Sequence, residues 1–257
     1  MNPTALTVRL GFLALLALAA CRQATAPEPP TEQAGPPPAG VMITVTDTAF
    51  EVPSGIEAEP ITITLRNESE APHPAFFARL NEGVTPEQVQ KAFPRGEEAI
   101  FSLITTAGNL PSVEPGGTAQ ATIEFPEGNY LVVDPEAKGP PPLAFFEVAA
   151  ATGPAVRVPE TAFRIDTGEF FFKIDGAVAG EATVAIANVG KQGHEVVIFQ
   201  EGADEEGFFG FAPAPGGRVW TSIDLQPGTY QVRCFFPDPK TGKPHNKLGM
   251  KATLEVA

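Results

Sequence analysis

The chain has 257 residues, including 28 Pro and 25 Gly, and its formal net charge is −14. This composition is typical of short strands joined by many turns and argues against a protein built from long helices. The acidic balance argues against a nucleic-acid-binding protein, because nucleic-acid surfaces need clustered Lys and Arg.

The first 20 residues are typical of an export signal. Arg9 precedes an apolar run, Leu10–Ala17, that is too short to span a membrane. Leu18-Ala19-Ala20-Cys21 follows and resembles a bacterial lipobox, in which cleavage leaves a lipid-bearing Cys at the new terminus. The resemblance implies an exported chain anchored through Cys21 to a bacterial membrane, facing the periplasm or the exterior. The alternative is an ordinary secretory signal cut after Ala20.

Residues 21–40 are rich in Pro and are predicted to form an extended tether. Strand-like alternation begins at Val41 and recurs at Ile61–Leu65, Ala121–Phe125 and Tyr130–Val133. The second half repeats it at Ala182–Ala187 and Trp220–Leu225. These patterns predict a nearly all-β chain.

Two turn motifs and one pair of polar residues occur twice. They are Pro115-Gly116-Gly117 with Pro215-Gly216-Gly217, Gly128-Asn129-Tyr130 with Gly228-Thr229-Tyr230, and Asn67 and His73 with Asn188 and His194. The duplication predicts two β-sandwiches, 41–150 and 151–257, joined by a linker at 149–154.

The first repeat is about 21 residues longer between its His and its Pro-Gly-Gly turn. That insertion contains Thr85, Pro86 and Gln88 at the spacing of a helix start: an N-cap, a Pro in the first turn and a Gln three residues after the cap. One short surface helix is therefore predicted inside an otherwise β-rich repeat.

The residues able to bind a soft metal are few and clustered. The whole chain has three His, three Met and two Cys, yet Cys234, His245 and Met250 fall within 17 positions. His194 precedes an apolar strand-like run. Two imidazoles, one thiolate and a weak thioether are the ligands of a blue-copper site. If Cys21 carries lipid, Cys234 has no disulfide partner in the chain.

These segments resemble the cupredoxin family. Asn188–Val197 is similar to the segment that carries the first His ligand, and Gly228–Cys234 to the strand that ends in the Cys ligand. His245–Lys251 resembles the plastocyanin-type tail, with four residues between His and Met. The resemblance implies two tandem Greek-key cupredoxin-like β-sandwiches, the second holding one type 1 copper on His194, Cys234, His245 and Met250.

One feature departs from the family pattern. Ten residues, Phe235–Pro244, separate Cys234 from His245, more than in better-known members. The segment contains three Pro and one Gly, so it is expected either to form a compact excursion that returns His245 to the metal or to alter the site.

The first repeat lacks the matching ligands. His73 corresponds to His194, but Asp134 occupies the position of Cys234, and residues 135–148 contain neither His nor Met. A type 1 site is therefore not expected there, and the repeat is predicted to serve as a spacer or docking surface.

The resemblance implies single-electron transfer to a redox partner protein, with His245 as the electron port beside Phe235, Phe236 and Pro237. The acidic cluster at 201–206 is expected to be solvated or to face a basic partner. Phe208, Phe209 and Phe211 are expected to pack as a loop.

Two other functions stay open: Cu(I) buffering or delivery without electron transfer, and a metal-free adhesion or assembly module. No acid–base pair or nucleophilic triad stands out. The prediction is therefore that the chain is not an enzyme and has no small-molecule substrate.

Overall fold

In a computed structural model, the described residues are 38–176, 178–200, 207–211 and 213–257. The predicted signal peptide, Cys21, most of the tether and the acidic cluster at 201–206 lie outside them. The strands of the first half are β1 (Ala39–Val45), β2 (Phe50–Glu51), β3 (Ile56–Glu57), β4 (Pro60–Asn67), β5 (His73–Leu80), β6 (Ile104–Val113), β7 (Thr118–Glu124), β8 (Gly128–Val133) and β9 (Leu143–Ala149).

The second half has a similar series, without a counterpart of β3. Its strands are β10 (Phe163–Gly168), β11 (Phe171–Asp175), β12 (Gly180–Asn188), β13 (Glu195–Gln200), β14 (Gly207–Phe211), β15 (Arg218–Leu225), β16 (Gly228–Arg233) and β17 (Lys251–Val256). The predicted all-β class is confirmed. The Phe-rich segment expected to be a loop is instead strand β14, which pairs with β13.

The strands form three sheets. One has the order β11-β10-β12-β15-β7-β4-β1-β2, a second β3-β9-β8-β5-β6 and a third β14-β13-β16-β17. Alternation explains the burial: Ile61, Ile63 and Leu65 of β4 are buried, whereas the intervening Thr62 and Thr64 are only partly so. These three sheets form the predicted cupredoxin-like β-sandwich architecture.

The two halves share the eight-stranded sheet. β7 of the first half pairs antiparallel with β15 of the second, with Ile123 opposite Val219 and Thr122 opposite Trp220. Arg218 and Glu124 add an ion pair across this junction, 3.4 Å between Nε and Oε2. The repeats are thus joined by backbone hydrogen bonds, a connection that was not predicted.

Within each half, the duplicated Asn contacts the duplicated Pro-Gly-Gly turn. The amide of Asn67 donates to the Gly117 carbonyl at 3.1 Å, and the amide of Asn188 donates to the Gly217 carbonyl at 3.2 Å. The Asn side chains also bond the segments that lead to each His: Asn67 donates to the Ala71 carbonyl and Asn188 to the Gln192 carbonyl. The repeated Asn therefore organises the approach to the His in both halves.

The predicted helix is confirmed. Helix α1 (Pro86–Ala92) begins after Thr85, whose hydroxyl accepts from the Gln88 amide while Gln88 accepts from the Thr85 amide. The insertion continues through a 3-10 helix (Phe93–Arg95) and a second short helix, α2 (Glu97–Phe101). Another 3-10 helix (His245–Leu248) precedes β17. Among the described residues, no helix is long and apolar enough to cross a membrane.

Candidate metal centre

Three of the four predicted ligands meet at one end of the second sandwich. His194 ends the loop between β12 and β13, Cys234 directly follows β16, and His245 opens the 3-10 helix before β17. One ligand atom from each lies within 4.8 Å of the others. His194 is thus brought to His245, 51 positions away, and to Cys234 by the pairing of β13 with β16 and of β16 with β17.

The donor atoms face one another in a buried space. Nδ1 of His194 lies 3.2 Å from Nδ1 of His245, and Sγ of Cys234 lies 3.4 Å from the same nitrogen. His194 and Cys234 are fully buried and His245 is 1% exposed. The Nε2 atoms of both rings have no hydrogen-bond partner among the described residues. A metal held by the facing Nδ1 and Sγ atoms would not reach these Nε2 atoms, so the metal site is inferred from the convergence of the three donor atoms.

Burial also sets the proton affinities of these groups. It lowers the pKa of His194 to about 4, with the neighbouring His245 acting in the same direction. Burial lowers the pKa of His245 and raises that of the Cys234 thiol to about 11. Both imidazoles are therefore neutral at pH 7, the form that binds metals.

The sulfur of Cys234 has polar neighbours. Backbone amides of Glu195 and Phe236 hydrogen-bond it, and these contacts oppose the upward effect of burial on the thiol pKa. The buried carboxylate of Glu195 in turn accepts from the Phe235 amide. Amide donors at the sulfur favour the thiolate form, which is the metal-binding form of Cys.

Met250 is fully buried and belongs to the same ligand-bearing segment. Its amide donates to the His245 carbonyl at 2.9 Å, and the Asn246 amide donates to the Cys234 carbonyl at 2.8 Å. These bonds tie the positions of Cys234, His245 and Met250 to one another. Two neutral imidazoles and a Cys sulfur fit copper, and Met250 stays the predicted thioether ligand.

The long segment between Cys234 and His245 folds as a compact hairpin. Pro237 and Pro244 form an isolated antiparallel bridge, and the His245 amide donates to the Phe236 carbonyl at 2.8 Å. At the tip, Asp238 accepts from both the amide and the hydroxyl of Thr241, at 2.9 and 2.8 Å. Of the two predicted outcomes for this insertion, the structure shows the compact excursion that returns His245 to the cluster.

A turn between β10 and β11 borders the site and was not predicted as part of it. Glu169 accepts from the amides of Lys191 and Gln192, which lead to His194. Phe170 places its ring edge-on to His245, with 5.3 Å between ring centroids. Phe170 is the one non-Gly residue with positive φ, +67°, in the described part of the chain. Nothing in the local sequence signals these contacts, because they join segments far apart in the chain.

The first repeat also contacts the ligand loops. The Thr106 hydroxyl lies so near Gly193 that a Cβ there would meet it at 2.8 Å, and it donates weakly to the His194 carbonyl at 3.5 Å. Phe101 of α2 packs edge-to-face on Phe236, 5.4 Å between centroids. The first repeat therefore walls one side of the candidate site.

The predicted electron port does not itself reach the surface, since His245 is 1% exposed. Its neighbours do: Phe235 is 38% exposed, and Pro237 and Pro244 are exposed. The role of His245 as the electron port stays a prediction; its ring is buried, with Phe170 packed edge-on against it.

In the first repeat, the two residues at the corresponding positions form a hydrogen bond with each other. Nδ1 of His73 lies 2.6 Å from Oδ2 of Asp134, and both residues are buried. Oδ1 of Asp134 accepts from the Glu136 amide at 2.7 Å. The carboxylate that replaces the Cys thus satisfies the imidazole directly.

No protein-family model matches this chain, and no curated protein sequence matches it. Among solved structures, it is similar to reduced auracyanin from Roseiflexus castenholzii, at 20% identity over 44% of this chain and 98% of that one, TM-score 0.31. It is also similar to auracyanin A, a blue copper protein from Chloroflexus aurantiacus. The sequence identity is 17%, the match covers 44% of this chain and 100% of that one, and the TM-score is 0.29. For a blue copper oxidase from Nitrosomonas europaea, the sequence identity is 13%, the match covers 85% of this chain and 86% of that one, and the TM-score is 0.28.

The donor set fits copper. This conclusion rests on the cluster of His194, Cys234 and His245 rather than on the distant structural similarities.

Proposed function

We propose that the chain is a single-electron carrier with one type 1 copper centre in its second repeat, held by His194, Cys234, His245 and Met250. The observation that carries the proposal is the convergence of two imidazole nitrogens and a Cys sulfur, all buried at one end of a β-sandwich. Bound copper supplies a one-electron couple between Cu(II) and Cu(I).

The protein's part is to hold the ligands in one arrangement and to exclude water. Hydrogen bonds between Cys234, Asn246, His245 and Met250 fix the ligand-bearing backbone. The ring of Phe170 and the first repeat pack around the loops. A rigid, dry site that does not rearrange with oxidation state suits fast electron transfer.

The histidine inventory supports a carrier rather than an enzyme. The chain has three His, and two of them belong to the candidate site. The third, His73, is hydrogen-bonded to Asp134. A second copper centre built on several imidazoles, as substrate-activating sites need, has no residues to form it in this chain.

We also propose that the mature chain is exported and anchored by lipid on Cys21. The support is the lipobox-like sequence before this residue and the short apolar run that precedes it. A Pro-rich segment would then separate the folded part from the membrane. Incorporation of labelled fatty acid that is lost in the Cys21→Ser variant tests the anchor separately from the copper site.

Titration of the copper-free protein with Cu(II), followed by visible absorption and EPR, tests the copper centre. An intense blue band with small copper hyperfine splitting is expected, and the Cys234→Ser variant should lack both. The Asp134→Ser variant is the matched control in the first repeat and should keep the band. A pale complex, or a band that survives in Cys234→Ser, would overturn the proposal. Tight Cu(I) binding with no reversible redox cycle would favour copper buffering instead.

A further inference from the structure

The chain's charges are unevenly distributed. Residues 38–150 carry 16 acidic and 5 basic side chains, whereas residues 228–257 carry 2 acidic and 5 basic ones. The basic excess therefore coincides with the segment that supplies three of the four candidate ligands, although the chain as a whole has a net charge of −14.

Exposed lysines border each ligand-bearing loop. We name these side chains the lysine rim: Lys191, Lys240, Lys243, Lys247 and Lys251. Lys191 lies three residues before His194, Lys243 and Lys247 flank His245 by two residues on either side, and Lys251 follows Met250. The rim thus lies on the same backbone segments as the buried cluster.

One acid borders the rim: Glu169 accepts from the backbone amide of Lys191. No carboxylate of the described residues forms an ion pair with any of its five ammonium groups. The single acid of the hairpin, Asp238, is buried and accepts from Thr241. Exposed apolar residues, Phe235, Pro237 and Pro244, lie on the same segment before His245 as Lys240 and Lys243. An apolar centre with a charged rim is the usual composition of a protein-binding patch.

We propose that the lysine rim and its apolar centre form the docking surface for an acidic partner protein, which exchanges electrons with the buried site. The inference rests on the proposed electron-carrier function and specifies the chemistry of its partner. It differs from the alternative, drawn from the sequence, that the acidic cluster at 201–206 faces a basic partner.

A protein partner fits better than an anionic membrane or a nucleic acid. Charges more than about 8 Å apart are largely screened at physiological salt, so a compact partner would experience mainly the local rim. An extended polyanion would also meet the acidic first repeat. Glu97 and Glu98 of α2 line the same groove as Lys191 and Pro239, and so mark the boundary of the basic surface.

Charged redox reagents test the local charge. The copper-loaded, reduced full chain is oxidised with hexacyanoferrate(III), a small anion, while salt is varied in stopped-flow measurements. If electrons leave through the rim, the rate should fall by about tenfold from low to high salt, since screening weakens attraction. If the net charge of −14 governs the encounter, the rate should rise with salt, which would overturn the proposal.

Two double variants with equal charge change sharpen the result. Lys243→Glu with Lys247→Glu should reverse the salt dependence, because the anion then meets a negative surface. Lys91→Glu with Lys138→Glu places the same two reversals on the first repeat and should behave as the unaltered protein. Equal effects from both pairs would overturn a local docking surface.

A second readout keeps this inference distinct from the proposed function. Failure to form a redox-active copper site sinks the proposed function, and the surface is then tested on the copper-free full chain carrying Cys21→Ser. Poly-L-glutamate should shift amide NMR signals within residues 235–251 and near Lys191. Shifts elsewhere, no shifts, or binding to phosphatidylglycerol vesicles without binding to poly-L-glutamate would overturn the acidic protein partner.

Discussion

In the first repeat, the buried imidazole of His73 lies 2.6 Å from the carboxylate of Asp134. The same two positions of the second repeat hold His194 and Cys234, which face a second imidazole from His245. One pair satisfies its own hydrogen-bonding needs. In the other cluster, the Nδ1 atoms of two imidazoles and the sulfur of Cys234 face one another.

The difference teaches how few residues separate a metal site from a structural one. Both repeats keep the Asn that organises the approach to the His, and both keep the turn that this Asn bonds. What the second repeat adds is a thiol in place of the carboxylate and a hairpin that returns a second His. The same Asn and turn are therefore compatible with either a metal site or a hydrogen-bonded structural pair.

The largest expected effect comes from exchanging the two residues. Cys234→Asp should abolish the sulfur–copper absorption band, since that band requires a thiolate ligand. It should weaken Cu(I) binding by more than the roughly 10–100-fold typical of losing an outer-shell partner. Visible absorption and Cu(I) competition with a chromophoric chelator measure both.

The reciprocal change sharpens the same comparison. Asp134→Cys, made in the Cys234→Asp background, should not produce a blue band, because residues 135–148 offer no second His and no Met. A blue band in this double variant would show that a thiol and one His suffice, and that the hairpin is dispensable.

The next effect is on the pH dependence of Cu(I) binding. Because the thiol pKa is about 11 and that of His194 about 4, binding near neutrality should release one proton, from Cys234. Affinity should fall about tenfold for each pH unit of acidification. Below pH 6.5, two ordinary imidazoles would raise the slope towards three protons; burial lowers the pKa of both His194 and His245, so the slope should stay below that. Chelator competition at several pH values measures it, and a slope near three would contradict the burial argument.

A smaller effect is expected from removing the hydrogen bond between His73 and Asp134 in the first repeat. Asp134→Ala leaves the buried imidazole and the Glu136 amide without their acceptor. The free energy of unfolding should fall by about 1–3 kcal/mol, with no change in the copper spectrum. Chemical denaturation of the copper-free protein measures it, with Glu147→Ala, an exposed acid on β9, as control. Loss of copper binding here would mean that the two sites are coupled.

The smallest effect concerns the hairpin of the second repeat. Thr241→Val removes the hydroxyl bond to Asp238 but keeps the amide bond. The free energy of unfolding should fall by about 1 kcal/mol, and the copper spectrum should persist because the Pro237–Pro244 bridge remains. A lost blue band would show that the tip of the hairpin sets the ligand geometry.

Local patterns sufficed for much of the fold. The alternation at Ile61–Leu65 and the cap at Thr85 predicted β4 and α1, because period and capping are properties of adjacent residues. The residue types Cys234, His245 and Met250, at that spacing, predicted the donor set. The pairing of β7 with β15 and the ring of Phe170 over His245 could not be predicted, since both depend on contacts between distant segments.

The shared sheet gives the first repeat a use that does not depend on its ligands. A strand edge left open invites pairing with other molecules, and here β7 and β15 cover each other. A fragment starting at residue 151 would expose that edge and be prone to self-association. A duplicated repeat without a metal site can thus still be retained by natural selection, because its strand covers an edge through which the other repeat would aggregate.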